Sequence, residues 1–215
     1  MARAVLLDFF NTLAIRSSKG LWIDAALRQI GSGDEVAREA LTARLSQVWL
    51  VARSLFPAEN WDLHPAKHRS TFIAAISHDG VATPALAEAL YDVMPDQVEM
   101  NRGAEDFVRA IHDQGKKLAI VSNTALDVRP ILQRWGLESL FDAVVLSYEV
   151  GCVKPDPAIF RVAARELGVE APDCVMVGDT PVDDSGAVAV GMQSVIAQPE
   201  QMWRAFELVL GGSRR

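Results

Sequence analysis

Five short apolar runs limit most strongly what this chain can fold into: Ala4–Leu7, Leu118–Val121, Ala143–Leu146, Val175–Val177 and Ser194–Ala197. Each is nearly continuous rather than alternating, and most are rich in Val and Ile. A strand with one wet face alternates polar and apolar residues. A short run without alternation fits a strand buried on both faces, as in a parallel sheet covered by helices. Before and between the last four runs lie segments with apolar residues at helical spacing. They are Ala104–Asp113 (Phe107, Val108, Ile111), Leu126–Trp135 (Val128, Ile131, Leu132, Trp135) and Pro157–Leu167 (Ile159, Phe160, Val162). Pro157 suits a first helical turn, and Gly136 and Gly168 stand where helices stop. This strand–helix alternation predicts an α/β fold with a doubly wound parallel sheet, whose ligand site lies at the carboxyl ends of the strands.

The segment from Ser17 to Pro95 has a different texture. It holds no convincing strand. Its helical patterns include a long one, Glu35–Leu55, with Val36, Leu41, Leu45, Val48 and Trp49. Breaks fall at Gly31-Ser32-Gly33, around Pro57–Pro65 and at Ser77–Pro84. The pattern predicts a helical domain over residues 17–95, inserted into a core made of residues 1–16 and 96–215.

Composition narrows the function. A formal net charge of −7 disfavours nucleic acid, which needs a basic face, but leaves room for a small anionic substrate met by one local cation. The two cysteines, Cys152 and Cys174, imply no disulfide framework. The first apolar run stops at Asp8, too early for a signal peptide, and no run approaches the roughly 20 residues of a membrane span. A soluble, cytoplasmic protein, monomeric or homodimeric, is expected, with a frayed Gly211–Arg215 tail.

Chemistry gathers at the strand ends. The first strand ends at Asp8, the second in Ser122-Asn123-Thr124, and the fourth in "VGDTPVDD" with Asp179, Asp183 and Asp184; the loop after the third brings Lys154. Singly, each has an ordinary explanation: a turn former, a helix cap, a surface lysine. Jointly they offer a carboxylate nucleophile, oxygen ligands for a hard cation, a hydroxyl with turn amides for an oxyanion, and one fixed positive charge.

These motifs resemble the haloacid dehalogenase-like (HAD) hydrolase superfamily, in the branch with a helical cap inserted after the first strand. Asp8 to Leu13 is similar to the first motif, Ser122-Asn123 to the second, Lys154 within "VKPDP" to the third, and Gly178-Asp179 with Asp184 to the fourth. The resemblance implies that Asp8 forms an aspartyl intermediate. It implies that Asp8, the backbone carbonyl of Phe10 and Asp179 hold Mg²⁺, with Asp184 supporting the metal or orienting Lys154; Asp183 could share that role. Ser122 and Lys154 would bind phosphoryl oxygens, and Asn11, Thr12 and Asn123 are further candidate substrate contacts. The cap would close over the strand ends and set specificity, with Arg44, Arg53, His64, Lys67, His68 and Arg69 as its polar candidates.

The first motif departs from the phosphatase pattern. Phe10 stands where phosphatases of the family carry a second Asp, so the usual proton donor to the leaving group is absent. Asn11 replaces the usual glycine and tolerates a left-handed backbone. Three readings follow. The favoured one is a Mg²⁺-dependent phosphatase-type hydrolase of small phosphorylated or activated substrates. The second is a metal-independent 2-haloacid dehalogenase-like enzyme, since "RLSQVWLVARSLF" is similar to the cap of those relatives and Arg44 would then meet substrate. The third is an impaired HAD fold used for binding. The retained Gly178-Asp179 and following acids favour the first, because dehalogenases of this kind work without metal and typically lack the Gly-Asp.

Overall fold

The structure, a computed structural model, describes residues 2–31 and 37–211. The expected break at Ser32-Gly33, the Glu35 and Val36 start of the long helical pattern and the Gly212–Arg215 part of the tail lie outside the described residues. Seven strands are present among the described residues: β1 (Ala4–Leu7), β2 (Ala14–Arg16), β3 (Val98–Met100), β4 (Lys117–Ser122), β5 (Ala143–Leu146), β6 (Cys174–Gly178) and β7 (Gln193–Ile196). The five apolar runs form one sheet in the order β5-β4-β1-β6-β7, and every adjacent pair is parallel. The last run sits one residue earlier than expected, although Ala197 still donates to Gly178 O at 3.1 Å.

β1 is central and wholly buried. In register, Ala4 faces Lys117 on one side and Cys174 on the other. Its lack of a polar face follows from that position. β2 and β3 pair in a separate two-stranded sheet. At three residues each they are too short to show periodicity, and they were not expected.

The chain divides into two compact units, residues 1–15 with 99–215 and residues 16–98. The helices of the second unit are α1 (Lys19–Ile30), α2 (Arg38–Ser46), α3 (Val48–Leu55), α4 (Pro65–Ser77) and α5 (Pro84–Asp92). The long helix expected over residues 35–55 is two helices, broken at Gln47 (φ −121°, ψ 11°). Across the break, α2 packs mainly on α1 and α3 mainly on α4. Trp22 stacks on Phe72 at 6.0 Å and Trp49 on Trp61 at 6.0 Å, so these indoles build the interior of the unit.

The first unit continues with α6 (Ala104–Asp113), α7 (Arg129–Arg134), α8 (Ser147–Val150), α9 (Pro157–Leu167), α10 (Pro181–Asp184) and α11 (Met202–Val209). α9 shows why its sequence was readable. Asp156 caps its first turn through Ala158 N at 2.8 Å, Gly168 closes it at φ 66°, and Ile159, Phe160 and Ala163 are buried against Leu6, Val121 and Val145. α7 starts three residues later than its apolar pattern, because Thr124 Oγ1 accepts from Leu126 N (2.9 Å) and Asp127 Oδ1 from Arg129 N (3.0 Å). Side chains thus close turns where helix bonds would otherwise form. No helix among the described residues is long and apolar enough to cross a membrane.

Candidate active site

Three neighbouring strands, β4, β1 and β6, end at Ser122, Leu7 and Gly178, and the residues just beyond them converge. Asp8 N donates to Val177 O at 2.9 Å, so Asp8 is held by one further ladder bond at the rigid sheet edge. The turn after it is closed by Leu13 N and Ala14 N, both donating to Phe9 O at 3.0 and 2.9 Å. Phe9 points into the core, fully buried and stacked on Trp135 at 5.9 Å. Phe10 is half-buried and meets Phe9 edge-on at 5.0 Å. The paired phenylalanines therefore have different surroundings, one inside and one at the margin.

Lys154 is brought in by an amide clamp. Asn123 Nδ2 donates to Lys154 O at 2.9 Å, and Lys154 N donates to Asn123 Oδ1 at 2.7 Å. Both ends of the Asn123 amide hold backbone, which makes it a positioning group for the lysine. The SNT turn is fastened by Ser147, a residue sequence reasoning did not single out. Its Oγ accepts from Thr124 N at 2.9 Å and donates to Thr124 O at 3.0 Å. The available signal was a serine directly after the third apolar run.

The Lys154 ammonium bridges two carboxylates, donating to Asp8 Oδ1 at 2.7 Å and Asp184 Oδ1 at 2.6 Å. Side-chain exposure is 3% for Lys154, 9% for Asp8 and 0% for Asp184, so the triad is shielded from water. Asp184 Oδ2 accepts from Thr180 N at 2.9 Å. Asp183, the neighbour that sequence could not separate from it, is half-buried and stands outside this network. Asp179 completes the acids: its Oδ2 accepts from Asn11 Nδ2 at 3.2 Å and its Oδ1 from Thr180 Oγ1 at 3.3 Å. One oxygen from each of Asp8, Asp179 and Asp184 lies within 4.8 Å of the others.

Burial pushes the Asp8 carboxyl up to about 6; Lys154 pulls it back, while Asp184 and Asp179 push it further up. Burial also raises Asp179 and Asp183. For Lys154, burial alone would lower the ammonium, but Asp8 and Asp184 outweigh it and the net shift is upward. Two acids thus pair with one lysine and a third stands beside them, so the cluster carries more acids than cations. All its donors are hard oxygens, with no imidazole or thiolate in the group. That set fits a hard divalent cation such as Mg²⁺ rather than zinc.

Ser122 is buried at the end of β4 and Thr12 is fully buried, with a hydroxyl that has no hydrogen-bond partner. Arg44 lies in the helical unit, where its guanidinium donates to Ala75 O and His78 O at 2.8 Å and ties α2 to the end of α4. Other polar residues of that unit are similarly engaged. Arg53 donates to Glu59 O at 2.8 Å, Lys67 to Glu59 at 2.6 Å, and Arg69 to Asp92 at 2.6 Å and to Glu88. His68 is buried, 2.8 Å from the Tyr91 hydroxyl, and burial lowers its imidazole to about 4.

Gly178 is a close-approach glycine. A Cβ there would overlap the carboxyl of Asp184. Gly178→Ala should therefore displace Asp184, loosen its hold on Lys154 and Thr180, and cost about 3 kcal/mol by overpacking. Urea melts measure this directly. A variant with a wild-type midpoint would show that the strand end can shift without loss.

A family model for haloacid dehalogenase-like hydrolases matches residues 2–191. A curated relative, haloacid dehalogenase-like hydrolase domain-containing protein 3 of Bos taurus, is 32% identical over 213 residues, covering 93% of this chain and 84% of its own length. The crystal structure of an HAD phosphatase from Thermococcus onnurineus matches at TM-score 0.66 and 26% identity, over 99% of this chain and 100% of that one. L-2-haloacid dehalogenase from Xanthobacter autotrophicus matches at TM-score 0.64 and 24% identity, over 98% of this chain and 84% of that one, which shows a shared fold. With a parallel sheet that gathers Asp8, Lys154, Asp179 and Asp184 at one edge, and a family match over nearly the whole sequence, the chain belongs to the haloacid dehalogenase-like hydrolases.

Proposed function

We propose that the chain is a Mg²⁺-dependent, phosphatase-type hydrolase of small anionic substrates, acting in the cytoplasm as a monomer or homodimer through a covalent intermediate on Asp8. The observation that carries this reading is the state of Asp8. It is a buried carboxylate with Oδ1 held by Lys154 at 2.7 Å, in a cluster with two further acids. Its Oδ2 is the attacking oxygen. As the Asp8 O–P bond forms, the ester P–O bond breaks, and the leaving oxygen takes the electron pair. Water then cleaves the aspartyl phosphate, restores the carboxylate and releases inorganic phosphate. Ser122 and Lys154 hold the phosphoryl oxygens, with Thr12 as a further hydroxyl. Asp8, Asp179 and the Phe10 carbonyl would hold Mg²⁺, with Asp184 fixing Lys154 beside it. When bound, the ion neutralises phosphate charge.

Phe10 defines the substrate class. It cannot protonate a leaving alkoxide, so the reading requires a leaving group of low pKa, such as the carboxylate of an acyl phosphate or the phenolate of an aryl phosphate. The name of the Thermococcus onnurineus relative supports phosphatase chemistry, and the three-acid cluster favours metal over the dehalogenase reading. The test is hydrolysis of an aryl phosphate with Mg²⁺ and with a chelator. Turnover should require the metal and should exceed that of an alkyl phosphate by about 10²–10⁴-fold. Halide release from a 2-haloacid in the presence of chelator would overturn the proposal in favour of dehalogenation.

A further inference from the structure

At position 11 the family pattern carries glycine, and this chain carries Asn with φ 64°, a left-handed backbone. Asn is among the few non-glycine residues that adopt it at low cost. A turn former would need nothing more from its side chain. Here the side chain has a second engagement, donating from Nδ2 to Asp179 Oδ2 at 3.2 Å, between the ends of two neighbouring strands. The amide orientation follows from chemistry, since an ionised carboxylate only accepts and the group facing it must be the NH₂. Asn11 N also donates to Ala14 O at 2.6 Å, which fixes the turn from which the amide projects. On the other side, Thr180 Oγ1 donates to Asp179 Oδ1 at 3.3 Å. Asp179 is therefore gripped at both oxygens by different segments, and the grip from the first motif exists because residue 11 is not glycine.

We infer that Asn11 is a positioning residue for Asp179, presetting that carboxylate for a hard divalent cation, rather than a substrate contact. The inference rests on the metal-dependent reading above. Outer-shell partners that orient a ligating carboxylate commonly contribute 10–100-fold to metal affinity. Loss of the Asn11 amide would leave Asp179 held at one oxygen only, by Thr180, and the order it loses must be restored each time the ion binds. The adjacent turn would be unaffected by glycine, which adopts the same φ freely.

Calorimetric titration of Mg²⁺, with Mn²⁺ as a second probe, into metal-free wild type and Asn11→Gly tests this without substrate. The variant should fold with a melting temperature close to wild type and bind either ion about tenfold more weakly. In the metal-saturated enzyme its KM for an aryl phosphate should stay near the wild-type value. Ion affinity in Asn11→Gly within twofold of wild type, or tighter, would overturn the positioning role alone. A wild type that binds neither ion would overturn both this inference and the metal-dependent reading. A raised KM with unchanged ion affinity would return Asn11 to the substrate. If Asn11→Gly proves less stable than wild type, both proteins are titrated at a lower temperature where each is fully folded, and the ion affinities are read by the same outcomes.

Discussion

Asp8→Asn is expected to hydrolyse an aryl phosphate at least about 10³-fold more slowly than wild type while remaining folded. Asparagine is nearly isosteric, and its Oδ1 can still accept from the Lys154 ammonium that now lies 2.7 Å from Asp8. What it lacks is a second carboxylate oxygen able to attack phosphorus. The same change should stabilise the metal-free protein at pH 8. Burial raises the Asp8 carboxyl from 3.8 to about 6, so the folded state favours its protonated form. The cost of holding Asp8 ionised is absent below about pH 4, grows as pH rises to about 6, and is fully present above that. Removing the charge should recover roughly 1–3 kcal/mol at pH 8, less whatever Lys154 loses in giving up one of its two partners. Urea melts of both proteins at pH 4 and pH 8, beside phosphate-release rates, check both halves. Residual activity within tenfold of wild type would remove Asp8 as the nucleophile.

Lys154→Met should have the largest effect on stability. The ammonium is the cation between two buried carboxylates, 2.7 Å from Asp8 and 2.6 Å from Asp184. Methionine fills much of the slot but leaves both acids without their counter-charge. Breaking a buried pair in this way typically costs about 3–5 kcal/mol. The direction with pH is set by Asp8. Without Lys154, which now pulls it down, the Asp8 carboxyl rises further, so its share of the deficit is small near pH 4, where it is protonated, and grows toward pH 8. Hydrolysis should fall by about 10²–10³-fold, as when a fixed oxyanion donor is lost. A variant equally stable at both pH values, or one as stable as wild type, would mean that Lys154 is not the charge that holds the cluster together.

The parts of the fold legible in the sequence were those with a strong period or a strong punctuation mark. β1 and β5 matched their apolar runs residue for residue; β1 is buried throughout and β5 over its last two residues, and such positions admit no polar interruption. α6 and α9 matched because their apolar stripes and end residues agree. What escaped was decided by partners distant in sequence. β2 and β3 are too short to have a period and exist only as each other's neighbour. The break at Gln47 goes with α2 and α3 having different main packing partners, although the sequence across it keeps a continuous helical stripe. At the site, residue types and strand ends placed Asp8, Lys154, Asp179 and Asp184 together. Three distinctions needed coordinates: Asp184 and not Asp183 meets the lysine, Asn123 clamps backbone, and Asn11 reaches Asp179. Each is a matter of where a short side chain points, which spacing alone does not set.

The short ladder made by β2 and β3 bears on the entropy of assembling the main sheet. Within the helical unit, Ser17 N donates to Gln97 O at 3.0 Å, and within the other unit Asn101 N donates to Leu13 O at 2.7 Å. Each unit therefore ties its own chain ends together. The ladder partners Ala4 and Lys117 are separated by roughly 110 residues, of which roughly 80 lie between Ser17 and Gln97. Once the helical unit is folded, those residues no longer count as free loop, and the effective connection between β1 and β4 shortens to roughly 30 residues. The saving in closure entropy is about 1 kcal/mol. A long insertion after the central strand thus costs the sheet little, since the inserted chain returns to nearly the point where it left.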